Sequence, residues 1–230
     1  MSMEITVRLL QEEPTLFQHM IDFVQDPSAW LSIISAAIAI VALFQTQSQI
    51  KLSNKQQLFD RRLADYMLLN ELAATYQKYY ESKETETNAW TILHSLMETG
   101  FLINVQGILW DRSSVHNQNE YQIKVEEIQK FALEIEIVFP EKVGYTAGAF
   151  LRGYSKTLQV LLNNLSLLNA NESNGDECFQ KELSEYKHNK EEELKKCLEE
   201  LQGAFVKIQE EKIENKMQKH LKLDSRKSRY

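Results

Sequence analysis

Between Pro27 and Ile50 the chain carries no charged residue. The stretch, PSAWLSIISAAIAIVALFQTQSQI, has twenty-four positions, about 36 Å of α-helix at ~1.5 Å per residue against a hydrocarbon core of ~30 Å. Its dense part, Ala29 to Phe44, includes Leu31, Ile33, Ile34, Ile38, Ile40, Val41, Leu43 and Phe44. At roughly −0.3 to −0.6 kcal/mol each, these side chains favour insertion into a bilayer by about 2 to 5 kcal/mol, and no charge opposes them. Trp30 stands at one edge, where interfacial aromatic anchors gather. Asp26-Pro27 is a good helix start, with Asp as cap and Pro at the first helical position. A signal peptide fits poorly, because Glu4, Glu12, Glu13, Asp22 and Asp26 precede the run and only Arg8 opposes them. The remaining alternative is the buried helix of a soluble protein. The expected element is one transmembrane helix over 27–50. Lys51, Lys55, Arg61 and Arg62 follow it, so the positive-inside rule places the N-terminus outside and residues 51–230 in the cytoplasm, with the span in the inner (cell) membrane.

One face of that helix is small and polar. Ser28, Ser32, Ser35, Ala39, Ala42, Thr46 and Gln49 recur at steps of four and three. Small residues let membrane helices approach closely, and hydroxyls can bond across them. The seam therefore suggests either helix packing or, with several copies turned inward, a narrow polar path. Both imply a homo-oligomer; an anchor that does not self-associate is the third possibility. Before the span, Leu16, Phe17, Met20, Ile21 and Val24 repeat at helical spacing, so residues 1–26 read as an extracytoplasmic amphipathic segment.

The rest of the chain reads as helices. It has seven glycines, three prolines and many Glu, Lys, Leu, Gln and Ala. No Pro or Gly intervenes between Pro27 and Gly100, so the membrane helix can run on, with room for a hinge near Ser53-Asn54. Phe59, Leu63, Tyr66, Leu69, Leu72, Ala73, Tyr76 and Tyr80 continue the pattern. Thr87 or Asn88 starts a helix that Gly100 stops. FLINVQGILW leaves helix or strand open, with helix favoured. Ser113 or Ser114 then precedes a helix marked by Tyr121, Val125, Ile128, Phe131, Leu133 and Ile135, and Pro140 begins another that reaches Leu168. The expected architecture is all-α: one N-terminal transmembrane helix, a cytoplasmic bundle over 51–169, a linker at 170–176, and a long C-terminal helix with a basic tail over 177–230. The late seam Leu194, Leu198, Leu201, Phe205, Ile208 suits a helix laid along a bundle.

Chemistry is sparse. A net charge of −7 argues against a general nucleic-acid binder. Cys178 and Cys197 have neither zinc nor disulfide spacing and read as reduced thiols, with Cys197 placed to pack. No catalytic nucleophile, metal-ligand set or cofactor motif is expected. RSSVH, Arg112 to His116, approaches the Arg-x(4–6)-His spacing of HEPN ribonucleases but is one residue short. An ordinary helical N-terminal turn with two solvated side chains is the preferred reading. FPEKVGYTAGAFLRGYSKTLQ is richer, with Gly144, Gly148 and Gly153 interleaved with Lys142, Tyr145, Arg152, Tyr154 and Lys156. Glycine costs a helix about 1 kcal/mol relative to alanine. Either neighbouring backbones approach closely there, or the basic and aromatic residues hold a nucleotide or single strand by charge and stacking.

QSQIKLSNKQQLFDRRLADY, residues 47–66, resembles a group of bacterial single-pass proteins in which an N-terminal span leads into a Lys-Gln-x-Leu-Phe-Asp-x-Arg-type helix and a helical cytoplasmic domain. The resemblance covers about the first 80 residues. Such proteins often sit in anti-phage loci, and effectors of this build include the Hailong channel effector and a CRISPR-associated pore protein with a HEPN-like domain. The resemblance implies an oligomeric, channel- or pore-forming effector of antiviral defence, gated by a nucleotide or oligonucleotide signal or by a defence-system partner protein. It carries over no functional residue. The alternatives are a non-enzymatic membrane-anchored interaction protein and a membrane-tethered HEPN-like ribonuclease.

Overall fold

The structure is a computed structural model, and it describes residues 27–82, 88–168 and 177–221. Among them every regular element is helical: α1 (Pro27–Ser82), α2 (Ala89–Met97), a 3-10 turn (Ile103–Val105), α3 (Gly107–Trp110), α4 (Val115–Val138), α5 (Glu141–Leu168), α6 (Glu177–Glu211) and α7 (Ile213–Leu221). The amphipathic segment expected over 1–26, the Asp26 cap, the linker at 170–176, the Cys178 side chain and the basic tail beyond Leu221 lie outside the described residues. The chain divides into two compact units, Met1–Gln56 and Gln57–Tyr230.

In the first unit the described residues are the first part of α1. It is long and apolar enough to cross a membrane, and none of its apolar window is buried. Leu31, Ile34, Ile38, Val41 and Phe44 are all exposed. Helical hydrogen bonding runs from Pro27 to Ser82, so no break falls at Ser53-Asn54. No helix-breaking residue stands there, and the backbone has no reason to leave the helix.

The second unit, from Gln57, builds a core from four stripes. On α1 the buried positions Asp65, Leu69, Leu72, Tyr76 and Tyr79 step by four and three. On α4 they are Tyr121, Val125, Ile128, Ala132 and Ile135; on α5, Ala147, Phe150, Tyr154, Leu158, Leu161 and Leu165; on α6, Leu194, Cys197, Leu201, Phe205 and Ile208. Each is the one-sided pattern of a helix that buries one face. Tyr76 lies where the stripes meet, its ring 5.0 Å from Phe205 and 6.0 Å from Phe150. Two buried hydroxyls lock helices together by bonding to carbonyls: Tyr121 to Leu158 at 2.9 Å, and Tyr154 to Leu96.

Local chemistry sets the helix ends. Asn88 caps α2 through its side chain, and Ser114 does the same for α4. FLINVQGILW is helical, but as the 3-10 turn and one short α-helical turn. Three expectations are corrected. α2 ends at Met97, three residues before Gly100, because the Glu98 backbone has left helical geometry. Leu133 is exposed, and the neighbouring Ala132 takes the buried place, since 132 and not 133 keeps the step from Ile128. The C-terminal helix is broken at Lys212, the one described non-glycine residue with positive φ, at 51°.

The α4–α5 crossing explains two glycines. A Cβ at Gly144 would lie 2.7 Å from the Ile135 carbonyl oxygen, and one at Gly148 would lie 2.8 Å from that of Ala132. These two residues let the backbones of α4 and α5 meet.

Candidate functional site

Along the small-residue face of α1, Ser28, Ser32, Ser35, Ala39, Ala42, Thr46 and Gln49 are all exposed. Ser32 Oγ donates to the Ser28 carbonyl at 3.0 Å, and Thr46 Oγ1 to that of Ala42 at 2.8 Å. Both hydroxyls are thereby satisfied within one helix. This is the condition for a hydroxyl to enter hydrocarbon without a neighbour.

The Gly- and basic-rich segment forms one wall of a groove between α5 and α6, with a volume of about 720 Å³. Lys142, Tyr145, Arg152 and Lys156 line it, as do Gly153, Gly203, Ala149 and Ala204. Tyr154, assigned from sequence to the same site, does not: it is fully buried, its hydroxyl bound to Leu96. Its position on the Phe150–Leu158 stripe makes it a core residue. Three of the groove's four lining cations are paired. Lys156 Nζ is 2.8 Å from Glu200, Lys142 Nζ is 3.4 Å from Glu211, and Arg152 Nη1 is 2.5 Å from Glu136. The hydrogen bond to Glu200 holds the Lys156 ammonium above its usual range, and that carboxylate is held below its own. Lys207, on the same lining, has no acidic partner among the described residues. Sequence reading missed these α6 acids as groove residues, because Glu200 lies 44 positions from Lys156 and Glu211 lies 69 from Lys142, in charge runs that look like an ordinary solvated face.

Gly203 differs from Gly144 and Gly148: a Cβ there would meet nothing within 4 Å. Opposite, a Cβ on Gly153 would lie 3.4 Å from the Leu201 side chain. The groove floor is therefore backbone and small side chains, with charge along its edges.

Arg112 and His116 lie at the start of α4, and each has its own surroundings. His116 Nε2 stands 3.3 Å from Glu120 on the exposed face of α4. Arg112 instead lines an open hollow with Ser113, Gln118, Asn119, Gln122 and Asn163. These polar side chains are exposed, and Gln118 Nε2 donates to the Arg112 carbonyl at 2.5 Å. The turn itself is ordered by Asp111, whose Oδ1 accepts from Ser113 N, Ser113 Oγ and Ser114 N; the bond from the Ser113 hydroxyl is the chief reason its carboxyl lies below the usual range. Among the described residues no group of three or more His, Cys, Asp or Glu could hold a metal ion. Cys197 is buried, and burial pushes its thiol up.

Asp65 was not singled out from the sequence, yet it is the most unusual ionisable group in the core. It is 0 % exposed, and neither carboxylate oxygen has a hydrogen-bond partner. Burial first, and the Glu134 carboxylate second, push its carboxyl up to about 7 against the pull of Arg61. The signal was present: Asp65 lies four residues before Leu69 on the buried stripe of α1.

Comparisons with protein-family models, with curated proteins and with solved structures found no match to this chain.

Proposed function

We propose that this chain is a membrane-anchored, oligomeric helical effector, channel- or pore-forming, gated through its helical domain in anti-phage defence. The observation that supports it is the exposed apolar face of α1 between Trp30 and Phe44. Leaving that much aliphatic surface in water opposes the ~25 cal/mol per Å² that burial would contribute, so a non-aqueous surrounding is the physical resolution. The span lies in the cell membrane with residues 51–230 in the cytoplasm, as the basic residues after Ile50 favour. Several copies associate through the Ser/Ala seam.

The signal is a nucleotide or oligonucleotide that enters the α5–α6 groove by ion-pair exchange. Its phosphates displace Glu200 and Glu211 from Lys156 and Lys142, Lys207 supplies an uncommitted charge, and Tyr145 at the rim stacks on a base. Exchange of this kind alters how α6 is tied to α5 and so couples binding to the bundle. A defence-system partner protein acting on the same face is the alternative trigger.

A second reading, a non-enzymatic anchored interaction protein, is favoured by the Ser32 and Thr46 hydroxyls, which need no neighbouring helix. The two readings separate in detergent and in vesicles. The effector reading expects a homo-oligomer by light scattering, ion flux in loaded liposomes, and weakening of both by Ser35→Leu or Ala39→Leu. A monomer with no flux leaves the anchor. A chain lacking residues 1–50 is expected in the soluble fraction and strongly helical; its retention on salt-washed membranes contradicts the single span.

A further inference from the structure

One turn of α1, Arg61 to Tyr66, is fastened to two other helices. Arg62 Nε donates to the Val138 carbonyl at the end of α4 at 2.8 Å, and its guanidinium lies 5.7 Å over the Phe139 ring. Arg62 Nη1 reaches the His220 carbonyl on α7 at 3.5 Å, and Gln218 of α7 donates to the Tyr66 hydroxyl at 2.6 Å. Arg61 Nε is 3.8 Å from Glu134 of α4. In the middle of this polar clasp sits Asp65, wholly buried and bonded to nothing.

A buried carboxylate normally has donors around it, because an ionised one without them is far costlier to hold than an apolar side chain. Here the nearby cations are engaged elsewhere, Arg61 with Glu134 and Arg62 with the Val138 carbonyl. The facing charges are few. Glu134 from α4 disfavours ionisation, and Arg61 from α1 itself favours it. From α7, His220 offers its main-chain carbonyl to Arg62 while its ring lies 6.5 Å from Phe139, and Lys216 is 3.8 Å from Glu211. A leucine would complete the stripe of Leu69 and Leu72; a carboxyl at that register can be seated only while neutral.

We propose that Asp65 is a proton-operated latch: with its carboxyl protonated the Arg61–Tyr66 turn is seated against α4 and α7, and loss of the proton places an unpaired charge in that seat and loosens it. The seat weakens as pH rises toward about 7 and is at its loosest above that. The latch requires only the bundle and does not depend on the membrane reading. It does, however, lie on the helix that carries the apolar stretch, eleven residues from Ile50 to Arg61.

Linkage fixes the sign. The folded carboxyl keeps its proton to about pH 7, whereas the unfolded chain releases it near the ordinary value of 3.8. Stability therefore falls as pH rises between those values and levels off above them. Thermal melting of the full chain in detergent, from pH 5 to 8, tests this against Asp65→Asn. The variant's advantage over wild type is expected to widen by about 5–10 °C across that range. A gap that does not change with pH overturns the proposal. Glu134→Gln keeps Asp65 and removes the neighbouring like charge, so the window is expected to move to lower pH; an unmoved window also overturns it. His220→Gln is expected to leave the widening intact, and its disappearance would assign the effect to His220 instead. The local readout is trypsin cleavage after Arg61 and Arg62, measured relative to Asp65→Asn. That ratio is expected to rise several-fold between pH 6.5 and 8.5, and a constant ratio contradicts the latch.

Discussion

α1 is one helix with two fates. Before Gln57 its Ile and Leu residues are exposed on every face except the Ser/Ala seam; after it, Leu68, Leu69, Leu72 and Tyr76 are almost wholly buried. Residue type does not separate the halves, because both are rich in large apolar side chains. Arrangement does. In the later half the apolar residues, Leu58 and Met67 excepted, keep to one stripe, and Lys, Gln and Asn take the other face, so one packed layer suffices. In the earlier half they cover all of the circumference but the narrow Ser/Ala seam, more than a single protein layer can cover. A helix apolar over so much of its circumference calls for a solvent that is itself apolar.

That difference can be broken by truncation. Leu72→Ala in the later half is expected to cost about 2–5 kcal/mol, lowering the melting midpoint of the bundle by roughly 5–15 °C. Ile38→Ala is expected to leave that midpoint alone. An equal fall for both would mean that the earlier half is buried against protein in the native assembly. Glycine substitutions sharpen the point with smaller effects. Gly148→Ala forces a Cβ against the Ala132 carbonyl and is expected to cost about 1–3 kcal/mol in chemical denaturation. Gly203→Ala meets open space and is expected to stabilise by up to ~1 kcal/mol. If Gly203→Ala instead leaves melting higher but weakens flux or nucleotide binding, the groove floor is a contact surface. Smallest of all is Lys156→Ala. Its pair with Glu200 is half-exposed, so melting is expected to shift by less than about 1 kcal/mol-equivalent, even where ligand binding drops.

Much of the fold was legible because helix punctuation is local. Asn88, Ser114 and Pro140 announce their helices, and the α6 seam through Leu201 and Phe205 was read from spacing alone. The break at Lys212 was not legible, since a positive φ usually announces itself by Gly or Asn. Tyr154 and Asp65 failed for another reason. Tyr154 was judged by its side-chain chemistry and Asp65 was passed over, in neither case by register, and register wins when a helix has one buried face. The groove was half legible: its α5 wall stood out by glycines and cations, while its α6 wall was indistinguishable from a solvated charge run. Pairing across helices depends on a fold that no local window contains.

The clasp between Arg62 and His220 spans 158 positions of sequence, and that between Tyr66 and Gln218 spans 152. On a ribosome adding ~5–20 residues per second, those partners are made roughly 8–30 s apart. The apolar stretch emerges at the start of that interval and meets its surroundings long before α7 exists. Whatever receives residues 27–50 therefore acts on a chain whose bundle has not yet closed, and the last helix completes a structure whose first helix has already been committed.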